Sequence, residues 1–230
     1  MAKPISIASS AGTFEAELAL PEGGPAPAII VVPSIFGNTD GLKATLDRYA
    51  SHGYIVLAID PFWRTAPGPR GQDEREAASA RAAEWTVENG LADVQAAVET
   101  LKTMPAWNGK YAVMGFCFGG RLAMLGLTRL DADAAVSFHG TRMHLHAGEA
   151  DKVTKPFSFH YGGDDPVVPL DEVAQVQAAL AGKDGEIYIY PGAGHSFAQQ
   201  ESPRYSPEAG PLSEARALAV LERLKTPVGV

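Results

Sequence analysis

A single cysteine, Cys117, stands among 230 residues. An internal disulfide is therefore excluded, and thiolates alone cannot build a zinc cage. No stretch approaches the roughly 20 consecutive apolar residues that a membrane helix needs. The opening MAKPISIASS has no apolar core of a secretory signal. Blocks of like charge are missing too, and with them the tail or patch that would bind an acidic polymer or a lipid surface. Lys and Arg number 19 against 27 Asp and Glu, a net charge of -8, which argues against a nucleic-acid partner. The expectation from these absences is a cytoplasmic protein with a reduced thiol, no nucleic-acid partner and no membrane partner. A monomer or small homo-oligomer is expected.

What is present is the composition of an ordinary globular chain, 46% apolar and 20% charged. The length suits one α/β domain over residues 1–230. PISIAS and TFEAELAL alternate around Ser10 and Gly12 and read as an antiparallel hairpin. APAIIVVPS, YIVLAID, KYAVMG, AAVSFHG, PFSFHYGG and EIYIY are short apolar runs. Such runs suit parallel strands buried on both faces. Helical patterns fall between them, over residues 39–51, 73–88, 91–104, 120–129, 169–181 and 212–224, with Asn89-Gly90 separating the second from the third. FWRTAPGPRGQ and residues 141–156 read as irregular, and residues 198–211 as a long loop suited to a rim or lid. The fold class is α/β: a mostly parallel central sheet, helices on both faces, and an N-terminal antiparallel hairpin.

The strongest local signal is Gly115-Phe116-Cys117-Phe118-Gly119, followed by Gly120, between an expected strand and an expected helix. This is the G-x-nucleophile-x-G elbow of the α/β-hydrolase fold with Cys in place of Ser. The turn strains the nucleophile's backbone and tolerates no bulk two positions away. It sets the sulfur above a helix N-terminus, where backbone N–H groups and the dipole favour thiolate and oxyanion. A small buried hydrophobe is the plainer fate of a lone cysteine. GGDDPVVP and PGAGHSF each follow an expected strand, so Asp165 and His195 fall at the carboxyl edge of the sheet with Cys117. The order nucleophile, acid, histidine is the one α/β-hydrolases use. His195 is the expected base and Asp165 its orienting carboxylate, with Asp164 assigned to a solvated turn.

The segments IFG (residues 35–37), GYIVLAIDPFWR, GKYAVMGFCFGG, GGDDPVVP and AGHSFA together resemble the dienelactone hydrolases, or carboxymethylenebutenolidases, and the likeness runs from ISIASSAGTFEAEL to EARALAVLERL. The resemblance implies an α/β-hydrolase acting on a carboxylic ester or lactone through a Cys117-His195-Asp165 triad and an acyl-cysteine. It implies an oxyanion hole from the backbone N–H groups of Ile35 and Phe118, and no cofactor. A thioesterase or acyl transferase on the same triad, and a non-hydrolytic ligand-binding member, are the alternatives.

Three positions depart from the family members that act on dienelactone. Their glutamate before I-F-G is Ser34 here, and their two substrate-gripping arginines are Ala77 and Gln199. Loss of both arginines removes charge-assisted hydrogen bonds to a carboxylate. A neutral ester or lactone, or an anion gripped elsewhere, is therefore the expected substrate. Arg64, Arg75, Arg81, Arg142 and Arg204 are the candidates for a replacement grip. Ser34, Trp85, His139 and Gln199 are the candidate pocket residues. His139 either touches substrate or caps a turn, and His160 reads as structural. His144 and His146 alternate at a spacing that suits metal on a strand, but without a carboxylate cluster no metal site is expected.

Overall fold

The computed structural model describes residues 1–225. These divide into two compact units, one over Met1–Tyr111 and one from Ala112 onward.

In the first unit, β1 (Lys3–Ser9) and β2 (Gly12–Ala19) form the expected antiparallel hairpin. Phe14, Ala16 and Leu18 alternate inward along β2, so one face of the hairpin is covered and the other is open. β3 (Ala26–Val32) is buried at every residue. It runs parallel to β4 (Ile55–Ala58), and β4 in turn pairs antiparallel with β2. The crossover between β3 and β4 is α1 (Asp40–Ser51), whose N-cap Thr39 accepts from the Leu42 N–H at 3.3 Å. Gly53, at φ +86°, turns the chain out of the helix.

α2 (Arg75–Glu84) and α3 (Val87–Lys102) follow. The break lies at Trp85-Thr86, not at the expected Asn89-Gly90. Thr86 is the N-cap, accepting from the Asn89 N–H at 3.2 Å, and Gly90 is buried inside α3. A threonine cap thus outweighed the Asn-Gly turn signal, because the helix needs an acceptor at its first turn whereas a glycine within it costs only about 1 kcal/mol. Trp85 consequently sits in the break with an extended backbone instead of on a helix.

Two buried charges hold the long loop after β4. Asp60 accepts from the N–H groups of Phe62 at 2.9 Å and Gly68 at 2.7 Å. Arg81, 3% exposed, donates to the carbonyls of Ile35, Ala66 and Gly68 at 2.6–3.2 Å. Burial lowers the Arg81 pKa and raises that of Asp60, as desolvation of any charge must.

The second unit is a parallel run of strands: β5 (Trp107–Phe116), whose buried half opens it, β6 (Ala134–Phe138), β7 (Phe157–Gly162) and β8 (Gly185–Tyr190), paired in that order. α4 (Gly120–Arg129) links β5 to β6, α5 (Leu170–Ala179) links β7 to β8, and α6 (Ala209–Leu221) is followed by a 3-10 turn over Glu222–Leu224. Residues expected to be irregular between β6 and β7 include a 3-10 helix, Met143–Lys152. His144 and His146 lie on it, so their spacing is not that of a strand. They face Glu172 and Glu149, at 2.9 and 3.9 Å.

Arg81→Met should strip three part-buried carbonyls of their charged donor. At about 1.5–3 kcal/mol per hydrogen bond to a charged group, urea denaturation should show a loss on the order of 3 kcal/mol or more. A loss below about 0.5 kcal/mol would contradict this role.

Candidate active site

The elbow begins with a close backbone approach. A Cβ on Gly115 would strike the Gly119 carbonyl, and one on Gly120 would strike the Gly140 Cα and Ser137 Oγ. Only glycine lets β5 turn directly into α4 with α4 lying against β6. Cys117 takes φ +49°, a left-handed conformation that costs a non-glycine residue about 1–3 kcal/mol. The strain turns its side chain out at the end of β5, half-buried, and its carbonyl accepts from the Thr141 N–H at 3.0 Å.

Asp165 and His195 come from the ends of β7 and β8. Gly162 allows their loops to meet, since a Cβ there would overlap the Ala193 and Gly194 carbonyls. His195 Nδ1 lies 2.8 Å from Asp165 Oδ2. The other carboxylate oxygen accepts from the N–H groups of Val167 at 2.8 Å and Val168 at 3.3 Å. Both residues are buried, whereas Asp164 is exposed and engages Ala193 only through its backbone. The remaining ring nitrogen of His195 faces Cys117, with which it shares a hydrogen bond.

Burial works against a charge on His195, yet the hydrogen bonds to Asp165 and Cys117 and the field of both anions prevail. They raise its pKa from 6.5 to about 9. The protonated imidazole is therefore the favoured form of His195 at neutral pH.

His139 completes the cluster. It follows β6, has φ +42°, and is wholly buried, with its ring 4.6 Å edge-on from that of His195. Phe116 and Phe197 line its other sides. Burial first, and the charge on His195 second, push its pKa well below 6.5. His160, by contrast, is satisfied at both ring nitrogens, by Tyr190 Oη at 3.0 Å and Ser158 Oγ at 3.1 Å. It is a core histidine.

One arginine shares the field of Cys117. Arg121, in the first turn of α4, has its guanidinium carbon 5.0 Å over the Phe118 ring. Burial and the nearby Arg142 lower its pKa to about 10, and Cys117 acts in the opposite direction. Arg121 was not among the residues expected from sequence. Its signal was the basic residue four places after the cysteine, where a helix dipole disfavours a cation.

A sequence model of the dienelactone hydrolase family matches residues 14–225. The chain belongs to the dienelactone hydrolase family. It is 33% identical to the carboxymethylenebutenolidase of Pseudomonas sp. strain P51, over 96% of this chain and 94% of that one. It is 31% identical to carboxymethylenebutenolidase 1 of Cupriavidus pinatubonensis, over 95% of each. Among solved structures it is similar to a dienelactone hydrolase-like promiscuous phosphotriesterase from metagenomic libraries. That match has a TM-score of 0.82 at 25% identity and covers 97% of this chain and 98% of that one. These likenesses give the chain the α/β-hydrolase fold and make it a hydrolase.

Two of the arginines considered for a substrate grip make internal bonds. Arg64 makes a two-pronged ion pair with the fully buried Asp93, at 2.8 and 2.9 Å, and Arg81 is spent on carbonyls. Arg75, Arg142 and Arg204 are exposed. Ser34 is buried and accepts from the Phe36 N–H at 3.3 Å. Ile35 is fixed through its carbonyl by Arg81. Phe118 is buried beneath Arg121. Gln199 is half-exposed and directs its amide to Glu201 at 3.4 Å. Trp85, half-buried, belongs to the first unit. The expectation of no metal meets one qualifying cluster among the described residues, Cys117, His139 and His195.

The raised pKa of His195 carries a sign. Its contribution to stability is complete below about 6.5, the unfolded value, and is lost as pH rises through about 9. Urea denaturation should show the wild type losing its stability advantage over His195→Gln as pH rises from about 6.5 through about 9. Equal pH profiles for the two proteins would contradict the raised pKa.

Proposed function

We propose that this protein hydrolyses a carboxylic ester or lactone through an acyl-cysteine, with Cys117 as nucleophile, His195 as acid and base, and Asp165 as the group that orients the imidazole. The observation that carries this reading is the position of His195. It is held to a buried carboxylate at 2.8 Å and bonded on its other side to the only thiol in the chain.

The thiolate attacks the acyl carbon and forms a C–S bond. The oxyanion is met by the backbone N–H of Phe118, and the family likeness assigns the second donor to the Ile35 N–H. Preorganised donors of this kind are typically worth about 3 kcal/mol each. Protonated His195 then gives its proton to the leaving alkoxide as the C–O bond breaks. In the second half, neutral His195 takes a proton from water. The resulting attack releases the carboxylic acid and returns the thiolate–imidazolium pair. Asp165 keeps the proton-bearing nitrogen fixed and the imidazolium stable throughout.

The proposed substrate differs from the one named for the curated relatives. Ala77 and Gln199 bring no charge, and Arg64 and Arg81 are committed to internal bonds. Arg142, exposed and acting on Arg121, which in turn feels Cys117, is the candidate left for an acidic substituent. Neutral and short acyl esters should accordingly turn over better than a dienelactone. Continuity of the family match through both units supports one domain over 1–230.

Hydrolysis of p-nitrophenyl acetate should show a burst of one equivalent and then slower turnover, and Cys117→Ala should abolish both. Asp165→Asn should lower kcat by about 10³–10⁴-fold, the cost of the wrong tautomer in an analogous serine triad. Undiminished hydrolysis by Cys117→Ala would overturn the mechanism.

A further inference from the structure

His139 differs from the other buried groups of the site in having no polar partner beyond its own backbone. Neither ring nitrogen meets a hydrogen-bond partner, although the side chain is wholly inaccessible to water. A buried polar group left in this way costs about 1–3 kcal/mol. Its backbone is also left-handed, at φ +42°. The comparison within the molecule is His160, one strand away, where the same side chain is equally buried but bonded at both nitrogens. A histidine serving only to fill space at residue 139 would be better replaced by a phenylalanine, like Phe116 and Phe197 beside it.

One ligand atom from each of Cys117, His139 and His195 lies within 4.8 Å of the others. A tetrahedral zinc ion takes sulfur at about 2.3 Å and imidazole nitrogen at about 2.0–2.1 Å. Its donors therefore stand somewhat closer than this, within reach of small side-chain rotations. The second shell is already built. Asp165 holds Nδ1 of His195 at 2.8 Å and leaves Nε2 to coordinate, the carboxylate–histidine pattern that orients metal-bound imidazoles. One thiolate and two imidazoles suit a borderline-soft divalent ion and not a hard one such as magnesium.

We propose that Cys117, His139 and His195 bind one zinc-class divalent cation, and that the bound ion shuts off hydrolysis by occupying the nucleophile. Binding forms one S–metal and two N–metal bonds. The proton shared by Cys117 and His195 is released to solvent, and nothing is oxidised or reduced. The fourth position is left to water. While the ion is in place the sulfur can neither attack an ester nor climb the oxidation ladder to sulfenic acid. The cation site rests on the cluster and not on the hydrolytic reading, so its test does not require activity.

The test is anaerobic titration of the EDTA-treated full chain with cobalt(II) chloride. Absorbance is recorded throughout, and p-nitrophenyl acetate hydrolysis is measured at each point. The expected result is one cobalt per chain with tetrahedral d–d bands and a thiolate-to-cobalt charge-transfer band. Any ester hydrolysis should fall in step with that band and return with EDTA. Loss of even a second-shell partner typically costs 10–100-fold in metal affinity, so His139→Phe should weaken cobalt binding by at least about tenfold. His139→Gln is the second variant, with circular dichroism as the check on folding of both. Absence of the charge-transfer band in the wild type, or equal cobalt affinity in wild type and a folded His139 variant, would overturn the proposal. A wild type that binds cobalt but never hydrolyses the ester would leave this site standing and remove the hydrolase reading instead.

Discussion

The left-handed backbone at Cys117 is the constraint on which the rest of the site depends. A φ of +49° at a residue with a side chain is unfavourable, and it persists because Gly115 and Gly120 let strand, turn and helix approach more closely than any Cβ allows. From that turn follow the half-buried sulfur at the end of β5, the α4 N-terminus beneath it, and the contact between the Cys117 carbonyl and Thr141. His139 and Ser196, neighbours of the site in space or sequence, are also left-handed, at φ +42° and +67°. Among the described residues three of the five left-handed non-glycine positions are these, the others being Asp131 and Arg142, while the strands β6 and β7 are regular and buried throughout.

Electrostatics does the second part. Burying a carboxylate and an imidazole is costly unless each meets a partner. Asp165 meets three donors, two backbone N–H groups and His195. His195 is in turn clasped between two groups that favour its proton, strongly enough to overcome its own burial. The same arithmetic runs the other way at His139, where burial is uncompensated and the ring stays neutral. Two imidazoles 4.6 Å apart thus differ in charge, His195 protonated through its partners and His139 kept neutral by its burial.

Much of this was legible in the sequence because it depends on residues close together in the chain. Glycine two places either side of Cys117 announces the elbow, and fully apolar runs such as APAIIVV announce buried parallel strands. Asp165, just ahead of P-V-V-P, reads as the turn residue whose side chain the following N–H groups can grip, and those N–H groups do hold it. Less was legible where two signals of similar size competed. Asn89-Gly90 looked like a helix break, and the cap at Thr86 set it elsewhere. The arginines were not legible at all. Whether Arg64 and Arg81 reach substrate or protein depends on Asp93, Ile35, Ala66 and Gly68, and no local pattern connects those residues to them. The missing partners of His139 are likewise a property of three-dimensional packing, since the segment AAVSFHG is compatible with a capped turn or an exposed ring.

The central claim is that the acyl group passes through Cys117. Rapid acid quenching of wild type mixed with p-nitrophenyl acetate, followed by peptide mass mapping, tests it most directly. The account predicts one acetyl group on the peptide carrying Cys117, appearing within the first turnover and disappearing as substrate is exhausted. Sustained hydrolysis with that peptide unmodified at every time point, or with the acetyl group on a different side chain, would contradict it.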